Sequence, residues 1–305
     1  MYFPYLRGKQ FELEALTEVS STVFSNTLPI LEPINLTSRA KGLYDRIAGQ
    51  GVPLILIINP YYGSLTIANV QNLIDTNLAN HQNLIIGFLI DERFSLADLN
   101  AFLTSNSNLS KSLIFRHDPF PAELAAINSA ILANSVDYIL FDDTKVSNQT
   151  KAAFINHPRL VLISNGFQRK SRNRDYQQTS AFNSNFETYR NNGWFGIGDY
   201  LTIGDYFSDG GGATYIVTLH ITRHSPKGLI THHFSSTYQS KTKGLTAPKF
   251  AEANSLLVTN PNITPLSSSG LTLYRGWHNT KHNPQLGAAK KASMMHHIEL
   301  MSSLI

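Results

Sequence analysis

The chain has 305 residues, of which 42% are hydrophobic and 15% charged, with a formal net charge of +4 at pH 7. This composition is typical of a globular protein and excludes a largely disordered chain. The absence of cysteine excludes disulfides, thiolate metal sites and a cysteine nucleophile. The first residues lack the order of a signal peptide, and no apolar run could span a bilayer. We therefore expect a cytoplasmic protein without a membrane partner.

Short apolar runs recur about every 25 residues along the first two-thirds of the chain. Many are rich in β-branched residues, as strands buried on both faces are. Segments with helical stripes lie between them, which predicts parallel pairing through right-handed crossovers. We predict a parallel (βα)8-type barrel over residues 1–206, with an open doubly wound sheet as the alternative. The predicted strands are Tyr2–Arg7, Pro29–Ile34, Pro53–Asn59, Leu84–Asp91, Ser112–Arg116, Val136–Asp142, Arg159–Ser164 and Trp194–Asp199.

The pattern changes in the last third of the chain. We expect residues 207–305 to form an extension that packs on the barrel, because no change in composition marks a linker. A hinge is predicted at Gly210-Gly211-Gly212. The predicted elements are a β-hairpin of Tyr215–Thr222 and Gly228–Phe234, a helix over Thr246–Leu257, a strand over Leu271–Trp277, and a last helix from about Leu286 to Met301.

A tetrapeptide repeats near the end of the predicted barrel. Ile197-Gly198-Asp199-Tyr200 recurs six residues later as Ile203-Gly204-Asp205-Tyr206. The period is too short for a solenoid unit. The repeat predicts a glycine-kinked strand that turns a corner, with an acidic residue at each kink.

Charged and amide side chains concentrate at the carboxyl ends of the predicted strands, where parallel barrels place their active sites. Because neighbouring strand residues face opposite ways, only one of Asp142 and Asp143 can point into the barrel mouth. The alternative is that most of these residues cap the following helices. The candidate catalytic acids and bases are Glu32, Asp91, Asp142 and Asp199, and the candidate ligand-binding residues are Arg7, Lys9, Asn59, Arg116, Asn165, Arg169 and Arg172.

The loop after the seventh predicted strand is basic. Arg169, Lys170, Arg172 and Arg174 lie within six residues, and loops after strands seven and eight commonly bind phosphate in barrels. Arginine side chains match phosphate oxygens well. The composition of this loop has two interpretations. The loop either binds an anion, such as a phosphate group or a nucleic-acid backbone, or it is a solvated surface loop.

Histidines are frequent in the last third of the chain, and His296 and Glu299 share one face of the last predicted helix. They lack the spacing of a zinc signature, so we predict no metal site and leave the cofactor open. The phosphate-binding loop of nucleotide hydrolases and the Gly-x-Ser-x-Gly turn of serine hydrolases are also absent, which disfavours both activities.

Four segments together resemble the beta-protein family of phages and its bacterial relatives: 2–12 (YFPYLRGKQFE), 28–34 (LPILEPI), 198–200 (GDY) and 290–299 (KKASMMHHIE). The resemblance spans nearly the whole chain and implies a phage, mobile-element or defence setting. It supplies no established catalytic residue. It implies that these positions belong to family motifs, in packing or in function: Arg7, Lys9, Glu32, Pro33, Asp199, Tyr200 and His296.

Three functions remain open from the sequence. The first is a barrel that binds a phosphorylated or nucleotide-like ligand at the carboxyl rim, with a hydrolase as the enzymatic form. The second is a non-enzymatic component that pairs with the product of a neighbouring gene through the 207–305 extension. The third is nucleic-acid binding through basic side chains in 169–174 and at Lys241, Lys243, Lys249, Lys290 and Lys291.

Overall fold

The computed structural model describes residues 1–105, 108–183, 185–208, 214–237 and 245–305. Eight of its strands pair in parallel and close into a barrel, in the order β1-β2-β3-β4-β5-β6-β7-β9. The predicted (βα)8-type barrel is therefore confirmed, and the open sheet is excluded. The strands are β1 (Tyr2–Leu6), β2 (Ile30–Leu31), β3 (Leu54–Ile57), β4 (Leu84–Ile90), β5 (Ser110–Phe115), β6 (Tyr138–Asp142), β7 (Leu160–Ser164), β8 (Thr179–Asn183), β9 (Gly196–Asp199), β10 (Thr218–Ser225) and β11 (Gly228–Ser235).

Helices alternate with the barrel strands, and several begin at a polar cap. The side chains of Thr37, Thr66 and Ser95 each accept a hydrogen bond from a backbone N–H in the first turn of the helix that follows them. Each bond satisfies a donor that has no partner within the helix. The helices are α1 (Gln10–Glu18), α2 (Ser38–Gly49), α3 (Ile67–Asn77), α4 (Leu96–Thr104), α5 (Pro121–Ala133), α6 (Asn148–Ala152), α7 (Asn185–Thr188), α8 (Thr246–Val258), α9 (Ser269–Thr280) and α10 (Leu286–Leu304).

Alternate residues along the barrel strands separate into two apolar layers. One layer, which includes Phe3, Ile57 and Ile163, consists mainly of strand residues and fills the barrel interior. The other, which includes Leu56 and Phe88, packs the strands against the surrounding helices. This separation follows from the two-residue period of a strand, and it leaves the strand ends to form the polar mouth.

A three-stranded antiparallel sheet in the order β10-β11-β8 combines two strands of the extension with one strand from the part of the chain before residue 207. The predicted hairpin is confirmed as β10 and β11, and it pairs with β8, which precedes the last barrel strand in the chain. No helix in the described part of the chain is both long enough and apolar enough to cross a membrane. The predicted hinge at 210–212 lies outside the described residues.

The prediction of a strand over Leu271–Trp277 is wrong, because these residues belong to α9. The alternating run Leu271-Thr272-Leu273-Tyr274 resembles a strand in the sequence. However, the Ser268 hydroxyl caps the helix by accepting from the backbone N–H of Leu271 at 3.0 Å. Leu271 and Tyr274, three residues apart, are fully buried on one helical face, as an amphipathic helix requires.

The last helix, α10, connects the two parts of the molecule. It packs against α1 on the barrel side and against α9 and β10 in the extension. Met294, Met295 and Ile298 contribute to the core that surrounds the barrel, whereas Ala289 and Ala292 contribute to the core of the extension. The helix predicted from about Leu286 to Met301 is therefore confirmed, and it lies inside the fold.

Candidate functional site

The parallel strands bring four charged residues together at their carboxyl ends. Arg7 follows β1, Glu32 follows β2, Arg116 follows β5, and Asp142 is the last residue of β6. All four side chains are buried. Buried charges need partners, and these residues supply them for one another.

The Glu32 carboxylate is held on both oxygens. One oxygen accepts from the Tyr5 hydroxyl at 2.9 Å, and the other accepts from the backbone N–H groups of Tyr61 and Tyr62 at 2.7 and 3.3 Å. The Arg7 Nε lies 3.9 Å from this carboxylate. Burial, and then the Glu32 charge, raises the pKa of Tyr5 well above its usual value, so the phenol remains a donor.

Asp142 is held in the same way on the other side of Arg116. Its Oδ2 accepts from the Tyr200 hydroxyl at 2.7 Å and lies 3.4 Å from the Arg116 Nε. Its Oδ1 accepts from the backbone N–H and the hydroxyl of Thr144 at 3.1 and 2.7 Å. Both buried acids therefore have every oxygen occupied by a protein donor.

Asp205, which lies beyond the last barrel strand, is the acid on which the cations of the mouth converge. Arg116 Nη2 donates to its two oxygens at 2.7 and 2.6 Å, and Lys145 Nζ lies 2.6 Å away. Arg7 Nη2 also donates to it. Burial would raise the pKa of Asp205, but Arg116, Lys145 and Arg7 outweigh burial and hold it below its usual range. Sequence reasoning did not select Asp205, although the repeated tetrapeptide marked it.

Two of the predicted catalytic acids do not join this cluster. Asp91 follows β4 and accepts from the backbone N–H and the Nη2 of Arg93, both at 2.7 Å. Asp199 ends β9 and accepts from the Tyr2 hydroxyl at 2.9 Å and from the Leu201 N–H at 2.8 Å. Asp91 therefore stabilises a turn, and Asp199 faces away from the mouth.

Asp199 also belongs to a line of three polar side chains. The His297 Nε2 lies 3.1 Å from its Oδ2, and the His297 Nδ1 lies 2.8 Å from the Thr222 hydroxyl. The order of carboxylate, imidazole and hydroxyl is that of a nucleophile triad. Thr222 and His297 are 0% exposed and Asp199 is 3% exposed. This line therefore joins β9, α10 and β10 and offers no access to a substrate.

The remaining predicted ligand residues fall into two groups. Asn59 bonds the backbone of Leu89 with both amide atoms, Asn165 accepts from the N–H of Asp205 at 3.3 Å, and Arg172 donates to Asp175 at 2.8 Å. Asn59 and Arg172 therefore make structural contacts away from the mouth, whereas Asn165 holds the backbone of Asp205. Lys9 and Arg169 instead line a separate cavity beside the mouth.

This basic cavity has a volume of about 590 Å³. Its walls come from the loop after β7, the segment after β9, the start of α1 and the helix α10. Among the described residues that line it, none is acidic and four are cationic: Lys9, Arg169, Lys170 and Lys290. Aromatic and polar side chains also line it, among them Phe11, Phe167, Tyr176, Tyr206 and Ser208.

The cations of the basic cavity form no close ion pair with the part of the chain that the structure describes, although the buried Glu12 carboxylate interacts favourably with Lys9 and Lys290 from a greater distance. None of them lies within 4.0 Å of a described carboxylate, unlike Arg172, which pairs with Asp175. The Arg169 guanidinium lies 3.3 Å from the centre of the Tyr206 ring. Burial, and then the nearby Lys9 and Arg169, lowers the pKa of Lys290. An anion in the cavity would relieve this repulsion.

The histidines of the extension form a pair. His220 and His233 approach through their Nδ1 atoms at 2.8 Å. Burial, and then the neighbouring ring, lowers the pKa of His220 well below its usual value, and burial lowers that of His233 to about 4. Within the described ranges, no three histidines or carboxylates are grouped so as to hold a metal ion.

Comparison with known proteins returned no match, either to a protein-family model or to a curated protein. The fold and site described above define a (βα)8 barrel with a charged mouth and an adjacent basic cavity.

Proposed function

We propose that this barrel binds a phosphorylated small molecule, of nucleotide-like size, in the basic cavity after its seventh and eighth barrel strands. The observation that carries the proposal is the set of four cations, Lys9, Arg169, Lys170 and Lys290, around a cavity without a described acidic wall. Cations that converge without carboxylate partners favour an anionic ligand.

The position of the cavity supports the same ligand class. Arg169 and Lys170 follow β7, and Tyr206 and Ser208 follow β9. In (βα)8 barrels the loops after strands seven and eight frequently form the phosphate site. The volume of about 590 Å³ lies within the range of small-molecule pockets, and Phe11 and Phe167 offer apolar surface to the organic part of a ligand.

Binding is better supported than hydrolysis. A general acid or base must reach the reacting group of the ligand. The oxygens of Glu32 and Asp142 are all held by protein donors. The phage or phage-defence setting that the resemblance implies remains part of the proposal and adds no catalytic residue.

The two alternative functions have less support from the same contacts. For nucleic-acid binding, Lys249 is 0% exposed and donates to the Thr214 carbonyl. Lys291 pairs with Glu18 at 2.7 Å, whereas Lys241 and Lys243 lie outside the described residues. For a protein partner docking on the 207–305 extension, one of its helices, α10, is packed between barrel and extension, which leaves only the remaining elements of the extension for such a contact.

The proposal can be tested by calorimetric titration with AMP, with inorganic phosphate and with adenosine. We expect AMP to bind, and Arg169→Ala/Lys290→Ala to weaken it, because each charge-assisted contact is worth about 1.5–3 kcal/mol. The double variant should therefore lose on the order of a hundredfold or more in affinity. The loss should shrink at high salt, since exposed charges are screened.

The matched control is Arg46→Ala/Lys227→Ala, which removes the same charge at two exposed positions away from the cavity. We expect it to bind AMP as the wild type does. Adenosine that binds as tightly as AMP, or a double variant with unchanged affinity, would contradict phosphate recognition in this cavity. Release of phosphate from AMP during the titration would restore the hydrolase interpretation.

A further inference from the structure

The Asp205 carboxylate occupies the position in the mouth that an anionic ligand would be expected to occupy. The three cations that hold it follow three different barrel strands: Arg7 after β1, Arg116 after β5 and Lys145 after β6. Ligands of parallel barrels bind where such strand ends converge. Here a segment of the same chain supplies the anion.

The two arginines have more hydrogen-bonding capacity than Asp205 uses. The Nε atoms of Arg7 and Arg116 are buried and have no hydrogen-bond partner among the described residues. The Arg116 Nε lies 3.4 Å from Asp142, outside hydrogen-bond geometry. Buried donors are nearly always satisfied in native proteins. A group with more acceptor oxygens than one carboxylate, such as phosphate, would use more of these donors.

The charges of the mouth balance only while an anion is present between the arginines. Glu32, Asp142 and Asp205 face Arg7, Arg116 and Lys145, three of each sign. If Asp205 left, one positive charge would remain uncompensated among two buried arginines and the partly exposed Lys145, and an unpaired charge beside buried groups is costly. One incoming carboxylate or phosphate group would restore the balance, whereas a neutral ligand would not.

Asp205 is attached in a way that permits exchange. Among the described residues, its side chain forms hydrogen bonds and ion pairs with the three cations only, and its backbone N–H has one acceptor, the Asn165 Oδ1 at 3.3 Å. Gly204 before it has φ +73°, a conformation that favours glycine. A cavity of about 260 Å³ opens onto Arg116 and Lys145, and it is also lined by Tyr61, Tyr62, Asp91 and Glu92. An anion entering from solvent would pass these two carboxylates, which are held by Arg93 and by the Tyr61 hydroxyl, before it reaches the cations.

We propose that Arg7, Arg116 and Lys145 form a second anion subsite in the barrel mouth. This subsite receives the carboxylate or phosphate group of a ligand, and Asp205 is its built-in competitor. The inference goes beyond binding in the basic cavity and rests on different residues. The segment 204–208 would then connect the two sites, since Tyr206 and Ser208 line the basic cavity while Asp205 pairs with the cations of the mouth.

The test uses Asp205→Asn in the full chain, with inorganic phosphate and acetate as probes in calorimetric titrations. A site that is mostly occupied by an internal competitor shows an affinity reduced by its free fraction. We therefore expect Asp205→Asn to bind phosphate on the order of tenfold to a hundredfold more tightly than the wild type. Acetate should also bind more tightly to Asp205→Asn than to the wild type, because both probes present a pair of anionic oxygens.

The control variant is Asp137→Asn, which removes the same charge from an ion pair with Arg159 on the surface, away from both cavities. Equal phosphate affinity of Asp205→Asn and Asp137→Asn would overturn the proposal. If Asp205→Asn folds only with added phosphate or acetate, the anion replaces the carboxylate and the proposal is supported. If it fails to fold even in concentrated phosphate, the proposal is overturned, because the charge balance would have been restored.

A triple variant separates this subsite from the basic cavity. In Asp205→Asn combined with Arg169→Ala/Lys290→Ala, the gain in phosphate affinity should persist, since Arg7, Arg116 and Lys145 are intact. A gain that disappears in this background would show that phosphate had bound in the basic cavity. That result would overturn the mouth subsite and leave the proposed function standing.

Discussion

His296, near the middle of α10, shows how a single side chain is kept neutral by its surroundings. It is 2% exposed. Its Nε2 lies 2.8 Å from the Thr222 carbonyl, which can only accept, and its Nδ1 lies 2.9 Å from the Ser268 hydroxyl. A neutral ring with its proton on Nε2 satisfies both contacts. Burial, against the hydrogen bond to Thr222, lowers the pKa of His296 to about 4.

We predict that this residue makes the protein less stable in mild acid. Between the folded pKa of about 4 and the ordinary value of 6.5, the unfolded chain binds more protons than the folded one. The stabilisation from a neutral His296 is thus complete above pH 6.5 and declines as the pH falls towards 4. At pH 5 the loss is about 2 kcal/mol. Urea unfolding at pH 7 and pH 5 should show a smaller loss for His296→Gln than for the wild type.

The exposed His282 provides the control for this measurement. His282→Gln should lose as much stability between pH 7 and pH 5 as the wild type. If His296→Gln also loses as much, the acid sensitivity arises from other groups, such as the His220 and His233 pair.

Among individual residues, the sequence was sufficient to predict part of the cluster of charged side chains in the mouth, but not all of it. The convergence of parallel strand ends groups Arg7, Glu32, Arg116 and Asp142. The strand pattern could not show that Asp199 lies outside this group, because the orientation of the Asp199 side chain depends on its contact with His297, which lies on a helix distant in the chain. Asp205, Lys145 and Lys290 lie beyond the strand ends, so the strand pattern could not select them.

The contact between α9 and α10 depends on a residue without a side chain. A Cβ at Gly270 would lie 1.9 Å from the Ala292 carbonyl oxygen and 2.8 Å from the His296 nitrogen, both backbone atoms. Neither atom belongs to a flexible side chain that could move away. The close approach of the two helices therefore requires glycine at this position.

We predict that Gly270→Ala destabilises the protein by at least about 1–3 kcal/mol, the usual cost of overpacking a core. Gly276 lies on the same helix, and a Cβ added there would meet no described atom within 4 Å. Gly276→Ala should leave stability unchanged or raise it by up to about 1 kcal/mol, because alanine favours a helix. Chemical unfolding of both variants gives the comparison, and equal effects at the two positions would refute the steric argument.

Among the secondary-structure elements, short buried strands and amphipathic helices were predictable, since apolar residues repeat with a different period in each. The strand β8 was missed because Thr179–Asn183 is polar and lies in a segment dominated by its basic charges. The helix α9 was mistaken for a strand because apolar and polar residues alternate over its first four apolar-rich positions, 271–274, and no helical spacing of apolar residues is visible before them. In both cases the deciding contacts, β11 for β8 and α10 for α9, are distant in the chain.

At the scale of the whole molecule, α10 makes the barrel and the extension depend on each other. It contributes to the core around the barrel through Met294 and Ile298 and to the core of the extension through Ala289 and Ala292. The buried line of Asp199, His297 and Thr222 joins the last barrel strand to the hairpin through the same helix.

We therefore predict a single cooperative thermal transition. Scanning calorimetry should give a calorimetric enthalpy that equals the van't Hoff enthalpy, because neither core is complete without α10. Circular dichroism and tryptophan fluorescence, which reports on Trp194 beside the barrel and Trp277 in the extension, should give the same midpoint. Two separate transitions would mean that the extension unfolds independently.

The shortest barrel strand has a consequence for the time scale on which the mouth opens. β2 has only two residues, and the next connection towards β3 is made by the Glu32 carboxylate, which holds the N–H groups of Tyr61 and Tyr62. A hydrogen bond from a backbone amide to a side chain breaks when that side chain changes its rotamer. The two strands do not have to separate. Deuterium should therefore enter at Tyr61 and Tyr62 faster than at the ladder amides of β3 and β4. The barrel would then open locally between β2 and β3 while the other pairs of neighbouring strands stay hydrogen-bonded.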